Sequence, residues 1–181
     1  MEPVNRKVVY RMYPSKQQEA ALLGMLGLHQ RLYNAALEQR IEAYKSQGKS
    51  VSYCEQARDL TELRKAFPEY AALNAQSSQV TLKRLDLAFQ AFFRRLKDGD
   101  TPGFPRFKAF DRFSGWGYAT HGDGFRFTPG DGEKHGKLRL SGVGIIPVRG
   151  RARTQGEVKT CEIQREGSRW YVSITLKCEP I

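Results

Sequence analysis

The 181-residue sequence is poor in the residues that staple small folds or hold metals: it has 3 cysteines and 3 histidines. Cys54, Cys161 and Cys178 stand far apart and are odd in number, which argues against a disulfide framework and against a zinc site. No apolar run approaches the roughly 20 residues that a membrane-spanning helix needs. No hydrophobic segment follows the opening Met1-Glu2-Pro3-Val4-Asn5-Arg6-Lys7, so a secretory leader is not expected and a reducing, cytoplasmic compartment is. Acidic residues are also scarce, 19 against 30 Lys and Arg, which leaves a formal charge of +11. What is present is enough to fold: 40% hydrophobic residues, with 10 Phe, 8 Tyr and 2 Trp, can bury a core and exclude global disorder. The length fits one domain, or two small ones sharing a core. A basic surplus of this size calls for a polyanion, nucleic acid ahead of an anionic membrane.

The surplus is uneven. Residues 1–50 carry 8 basic and 4 acidic side chains, residues 51–100 carry 8 and 7, and residues 101–181 carry 14 and 8. In the last part Arg149, Arg151 and Arg153 alternate around Gly150 and Ala152. In an extended segment that spacing puts all three on one face. One reading is a solvated arginine face; the other is a strip that tracks a phosphate backbone through guanidinium contacts.

Hydrophobic spacing divides the chain. Val8, Tyr10 and Met12 alternate with Lys7, Val9 and Arg11, as in a half-buried strand that Pro14 ends. Ser15-x-x-Gln18 reads as a capping box opening a helix. Leu22, Met25, Leu26, His29, Tyr33, Leu37 and Tyr44 follow at helical spacing up to Gly48, with Gly24 and Gly27 marking a kink or a close approach. Ser52-x-x-Glu55 opens a second helix with Leu60, Leu63 and Phe67 inward, ended by Pro68. A third runs from about 75 to 96 on Val80, Leu82, Leu85, Phe89, Phe92, Phe93 and Leu96, closed by Asp98-Gly99-Asp100. After Pro102 the helical period disappears, and short strands are expected at 125–127, 137–140, 145–148, 158–165 and 169–177, with Glu166-Gly167-Ser168 turning the last two into a hairpin. The expected fold class is α+β: a small OB-like antiparallel β-barrel from residues 1–14 and 101–181, with a three-helix insertion over 15–100.

No catalytic constellation stands out. His29, His121 and His135 lack metal-ligand spacing, Asp59, Glu62 and Asp86 form no pair, and no glycine-rich loop links a strand to a helix. Cys54 reads as a small buried hydrophobe rather than an activated thiol. Gly115, Gly117, Gly122 and Gly124, interleaved with Trp116, Tyr118 and His121, read as a flexible loop, with an aromatic base-stacking loop as the alternative.

Five motifs in order then carry a resemblance. Lys7-Val8-Val9-Tyr10-Arg11-Met12-Tyr13-Pro14-Ser15-x-x-Gln18 is similar to the start of TnpB (OrfB-type) proteins, RNA-guided nucleases of insertion sequences and relatives of compact type V CRISPR effectors. Tyr33-Asn34-x-x-Leu37, Leu82-x-x-Leu85-Asp86-x-Ala88-Phe89-x-x-Phe92-Phe93-Arg94, Gly103-Phe104-Pro105-Arg106-Phe107-Lys108 and Arg169-Trp170-Tyr171-Val172-Ser173-Ile174 fit the same pattern. The family's RuvC-like nuclease domain, with its metal-binding carboxylates and zinc ribbon, has no counterpart before Glu179-Pro180-Ile181. The resemblance therefore implies a wedge (WED) barrel with a helical recognition (REC) insert and no catalytic residues or cofactors in this chain; Mg and Zn belong to the RuvC region.

Implied partners are a guide RNA, a target DNA duplex, and either the missing nuclease domain or a full-length copy; no membrane is implied. The expected location is the cytoplasm of a bacterial or archaeal cell, at the nucleoid when DNA is bound. By the resemblance, Tyr53, Gln76 and Gln79 are candidates for reading a short target-adjacent duplex motif. Glutamine pairs well with adenine; the alternative is ordinary helix-surface glutamine, and for Tyr53 simple packing. Arg106, Lys108, Arg149, Arg151, Arg153, Lys159 and Arg169 are candidates for holding nucleic-acid backbone. Tyr33, Phe89, Phe92 and Phe93 are assigned to the helical core. Phe104 and Phe107 are read as core rather than base-stacking. Trp170 and Val172 are placed against the missing nuclease domain, leaving an exposed apolar patch. The competing reading is a stand-alone truncated DNA- or RNA-binding protein, either a regulator or an RNA-binding accessory; a basic structural protein is a third.

Overall fold

A computed structural model of the chain describes residues 4–178. They fall into two compact units: one holds the chain up to Leu26 and from Ser114 onward, the other is Gly27–Phe113.

The first unit is built on an antiparallel sheet of seven strands, β1 (Val4–Met12), β2 (Gly115–Tyr118), β3 (Phe125–Pro129), β4 (Lys134–Leu140), β5 (Gly144–Arg151), β6 (Glu157–Glu166) and β7 (Arg169–Cys178). Their order across the sheet is β2-β6-β7-β1-β5-β4-β3. The first strand in sequence is thus the central one. It pairs with β7 along its whole length, Val4 opposite Cys178 to Met12 opposite Trp170, and with β5 at Arg11–Arg149 and Met12–Val148. The sheet curls into a half-barrel: the rings of Tyr118 and Phe125, on its two edge strands, lie 5.7 Å apart. Strict alternation sends Val8, Tyr10, Met12, Leu138, Leu140, Ile146, Val148, Ile163, Val172, Ile174 and Leu176 inward, all buried. Gly167, at φ +62°, permits the tight turn between β6 and β7.

Three expectations are corrected here. Gly115-Trp116-Gly117-Tyr118 is a fully buried strand rather than a loop; a Cβ on Gly115 would meet the Ile163 carbonyl oxygen, so glycine lets β2 approach β6. Trp170 and Val172 form no exposed patch: both are buried inside the curl, and Trp170 meets Trp116 edge-on at 6.2 Å. The barrel is open and has one strand more than the six expected, because glycine and aromatics masked the alternation of β2.

The helices are α1 (Lys16–Gln47), α2 (Tyr53–Ala66), a single turn α3 (Pro68–Ala71) and α4 (Ala75–Asp98). Both halves of the Ser15 capping box form: the Ser15 amide donates to Gln18 Oε1 at 3.0 Å, and the Gln18 amide to Ser15 Oγ at 3.1 Å. Gln18 Nε2 also donates to the Ile145 carbonyl at 2.8 Å, so the first turns of α1 pack with the sheet. Gly24 and Gly27 leave α1 unbroken; a Cβ at Gly27 would touch only the Phe110 ring, at 3.7 Å.

The helical unit is held by buried polar groups. Arg40 Nη2 pairs with Asp86 Oδ1 at 3.1 Å, Arg40 Nε donates to Gln56 Oε1 at 2.9 Å, and Gln56 Nε2 donates to the Ala36 carbonyl at 2.9 Å. One guanidinium therefore ties α1, α2 and α4 together. Further along the α1–α4 seam, His29 Nδ1 meets Thr81 Oγ1 at 2.7 Å and His29 Nε2 meets Ser77 Oγ at 3.3 Å. Some expected core positions are outside: Tyr44, Phe67, Phe93 and Leu96 are exposed. Cys54 is likewise exposed at the start of α2.

Burial, with the nearby Arg84 charge second, pushes the His29 pKa down to about 3. The folded state holds this imidazole neutral while the unfolded chain protonates near pH 6.5. Stability is therefore intact above pH 6.5 and falls as pH drops toward 3, by up to about 1.4 kcal/mol per pH unit. Thermal melts from pH 7 to pH 4 will show a declining midpoint, and His29→Leu will flatten that decline while lowering the midpoint at neutral pH.

Candidate nucleic-acid interface

The four adjacent strands β1, β5, β4 and β3 contain no acidic residue. They carry Arg6, Lys7 and Arg11 on β1, Arg149 and Arg151 on β5, Lys134, Lys137 and Arg139 on β4, and Arg126 on β3. Alternation turns Lys7, Arg11, Arg126, Lys137, Arg139, Arg149 and Arg151 to the outer face. Three cross-strand partners are basic on both sides: Arg11–Arg149, Arg126–Arg139 and Lys134–Arg151. Tyr13 lies between two guanidiniums, with the carbons of Arg11 and Arg149 at 4.9 and 5.2 Å from its ring centroid. The β6–β7 half is mixed, with Glu157, Glu162 and Glu166 among its cations.

The shared face expected of Arg149, Arg151 and Arg153 forms at two of the three positions. Arg149 and Arg151 share the outer face of β5, but the strand ends at Arg151 and Arg153 sits in a bend beyond it, because the Ala152 amide is drawn to the Glu133 carbonyl at 3.0 Å. Lys159 is half-buried and ion-paired with Glu157 at 3.1 Å, so it is not a free cation. Arg169 is exposed at the start of β7, opposite Glu166. Sequence reading missed Arg11, Arg126, Lys137 and Arg139. Their spacing within single strands is ordinary, and only the strand order places them beside Arg149.

Arg106 and Lys108 belong to the helical unit and are exposed. The segment 101–109 has no regular structure, yet Lys108 is held like a strand residue by side chains of α1. Its amide donates to Asn34 Oδ1 at 2.9 Å, and its carbonyl accepts from Asn34 Nδ2 at 2.9 Å and Gln30 Nε2 at 2.8 Å. Its Nζ lies 5.0 Å from the centroid of Tyr33. Two separated motifs thus meet in one clamp. Phe104 packs edge-on against Phe89 and Phe92 at 5.5 and 5.2 Å but stays half open, while Phe107 is 56% exposed and is not core.

Tyr53 stands at the first turn of α2, where Ser52 Oγ accepts the Glu55 amide at 3.2 Å. Its ring carries Lys83 Nζ at 4.9 Å. Gln76, Gln79 and Lys83 recur on α4 at spacings that share a helix face; Gln79 and Lys83 are exposed, and Gln76 is partly buried. The structure thus brings Tyr53 to the α4 stripe through Lys83. Elsewhere, His121 and His135 are structural: their ring nitrogens accept the amides of Phe127 and Gly150 at 3.0 and 3.3 Å. Cys161 is buried, which pushes its thiol well above the ordinary range. None of the helices among the described residues is long and apolar enough to cross a membrane.

Replacing Asn34 with Ala removes two of the three bonds on Lys108, a loss of about 1–3 kcal/mol. Amide exchange over 101–109 will rise at least several-fold in that variant, while the sheet amides stay protected.

Residues 1–49 match the family HTH_OrfB_IS605, described as a helix-turn-helix domain. Within the described part of that range the chain forms β1 and α1 rather than two helices. A Streptomyces pristinaespiralis protein bearing the name "Putative RNA-guided DNA endonuclease" is 36% identical over 112 residues, covering 60% of this chain and 26% of that protein. The fold is similar to a chain in the cryo-EM structure of the Cas12f1-sgRNA-target DNA complex, with a TM-score of 0.52 at 12% identity, over 98% of this chain and 49% of that one. The chain thus spans about a quarter of the curated relative and about half of the structural one. Motif order, the family match over residues 1–49 and the α+β fold agree in making this chain similar to TnpB (OrfB-type) proteins.

Proposed function

We propose that this chain is the nucleic-acid-holding part of an RNA-guided DNA endonuclease. The curled sheet acts as the wedge-type element that grips the guide RNA, and the helical unit acts as the recognition-type element that meets the target duplex. The acid-free outer face of β1, β5, β4 and β3 carries this reading. Backbone binding needs cations on a rigid frame with no carboxylates to neutralise them, and releases counterions from the polyanion. The relatives support it, one by its name and the other by the RNA and DNA in its complex. In this reading the chain binds without cutting, and the metal-dependent nuclease carboxylates lie in a RuvC-type domain outside it.

Arg149 and Arg151, with the exposed Arg106, Lys108 and Arg169, contact phosphates. Arg153 and Lys159 contribute less, one lying beyond the strand and the other paired with Glu157. Tyr53, Gln76 and Gln79 read the short duplex motif, with Lys83 holding an adjacent phosphate. Glutamine side chains offer the donor and acceptor that adenine's major-groove edge requires.

RNA affinity will fall steeply with salt. Reversing Arg149 and Arg151 to Glu will weaken binding and make the log–log salt slope shallower by about 1–2, since each phosphate contact contributes about 0.9. An unchanged slope would remove the sheet face from the interface. For the duplex motif, Gln76→Ala with Gln79→Ala will reduce discrimination between the preferred sequence and its point variants by about 1–3 kcal/mol, at unchanged salt slope. A uniform loss across all sequences would instead make these glutamines generic contacts.

A further inference from the structure

We infer that the open end of the curled sheet is a pocket for a single unstacked nucleobase, with guanine preferred. This rests on the nucleic-acid reading above and adds a subsite to it. A cavity of about 580 Å³ lies there, within the range of small-ligand sites. Tyr10, Phe127 and Leu176 line it from the core side, and Asp131, Glu133 and Gln155 from the loop side. Tyr10 and Phe127 meet at 5.0 Å between ring centroids. Tyr10 is only 3% exposed, yet its hydroxyl has no hydrogen-bond partner among the described residues. The ring is buried while the hydroxyl is not sealed off, so it stands open at the cavity wall to a polar ligand.

The rim is built rather than loose. Residues 130–135 cross between β3 and β4 with Glu133 and His135 at φ +63° and +60°, a conformation costly for non-glycine residues. Three bonds hold it there: the Gly130 amide to the His135 carbonyl at 3.0 Å, the Ala152 amide to the Glu133 carbonyl at 3.0 Å, and the Gly150 amide to His135 Nδ1 at 3.3 Å. Gln155 Nε2 donates to Glu133 Oε1, which fixes that carboxylate, while Asp131 has no partner for its own among the described residues. The strained loop therefore presents two carboxylates at the mouth of an apolar cavity, on the half of the sheet whose strands have none.

The chemistry narrows the occupant. It must be flat and apolar in its faces, with donors along its edge, because ionised carboxylates only accept. Guanine places N1–H and the N2 amino group side by side and leaves O6 for a phenolic donor such as Tyr10. Adenine and cytosine set a ring acceptor beside their amino group, which a carboxylate repels, and uracil has one ring donor flanked by two acceptors. Lys134, Arg151 and Arg153 adjoin the lining residues in sequence and supply cations for the flanking phosphates.

The test uses the intact chain and three labelled RNA hexamers: all uridine, or uridine with one central guanosine or adenosine. Anisotropy titrations at fixed salt will give the guanosine hexamer an affinity about tenfold higher than the other two, the scale of one well-matched base contact. Asp131→Asn with Glu133→Gln, both on the surface, will abolish that preference without weakening binding to oligouridine; Tyr10→Phe will reduce it. Equal affinities for the three hexamers, or a preference that survives the double substitution, overturn the pocket while leaving the nucleic-acid reading standing. Failure to bind any hexamer overturns both.

Discussion

The structure of the sheet unit depends on one pairing: β1, the first strand made, is the middle of a sheet whose other six strands all follow residue 114. It hydrogen-bonds β7 along nine residues and β5 at its end, so neither half of the sheet is complete without it. Its partners lie more than a hundred residues away in sequence, and closing so long a loop costs entropy before any contact offsets it. Inserting helices between β1 and β2 lowers that cost, because a folded insert shortens the effective loop. The Arg40–Asp86–Gln56 network and the His29 seam give the insert its own cohesion.

The same topology sorts charge. By position in sequence the cations of residues 6–11 and 126–151 are remote; by position in the sheet they are neighbours. β1 lies beside β5, β5 beside β4 and β4 beside β3, and the carboxylates of the C-terminal part are left to β6 and the loops. A long-range pairing chosen by hydrophobic alternation thereby assembles an electrostatic surface that no single strand encodes.

Legibility followed the same divide. Local signals were readable: the Ser15–Gln18 box forms both its bonds, the Gly167 turn closes the predicted hairpin, and five of the six later strands fall where alternation put them. β2 was not readable, because Gly115 and Gly117 supply no side chain to alternate and only the approach to Ile163 explains them. Phe93, Leu96 and Phe107 read as core because aromatic and aliphatic residues at helical spacing or in a compact motif usually are; exposure depends on where neighbours end, which spacing does not record. On the basic sheet face, Arg149 and Arg151 were legible from period 2, whereas Arg11, Arg126, Lys137 and Arg139 needed the strand order. The ion pair that compromises Lys159 and the bend that removes Arg153 are tertiary facts. The roles of Asn34 and Asp86 were also hidden: each stood inside a motif, and only the structure shows one gripping the Lys108 backbone and the other anchoring Arg40.

The like-charged partners across the sheet carry a further consequence. Like charges directly opposite one another on paired strands oppose the pairing. Arg11–Arg149, Arg126–Arg139 and Lys134–Arg151 are therefore stored repulsion, kept in place by the apolar residues that alternate with them. Whatever anion lies on that face relieves the repulsion and binds the folded sheet in preference to the unfolded chain, so its binding energy is also folding energy. A polyanion bound on that face would act as a counterion to these three pairs and so add to the stability of the sheet.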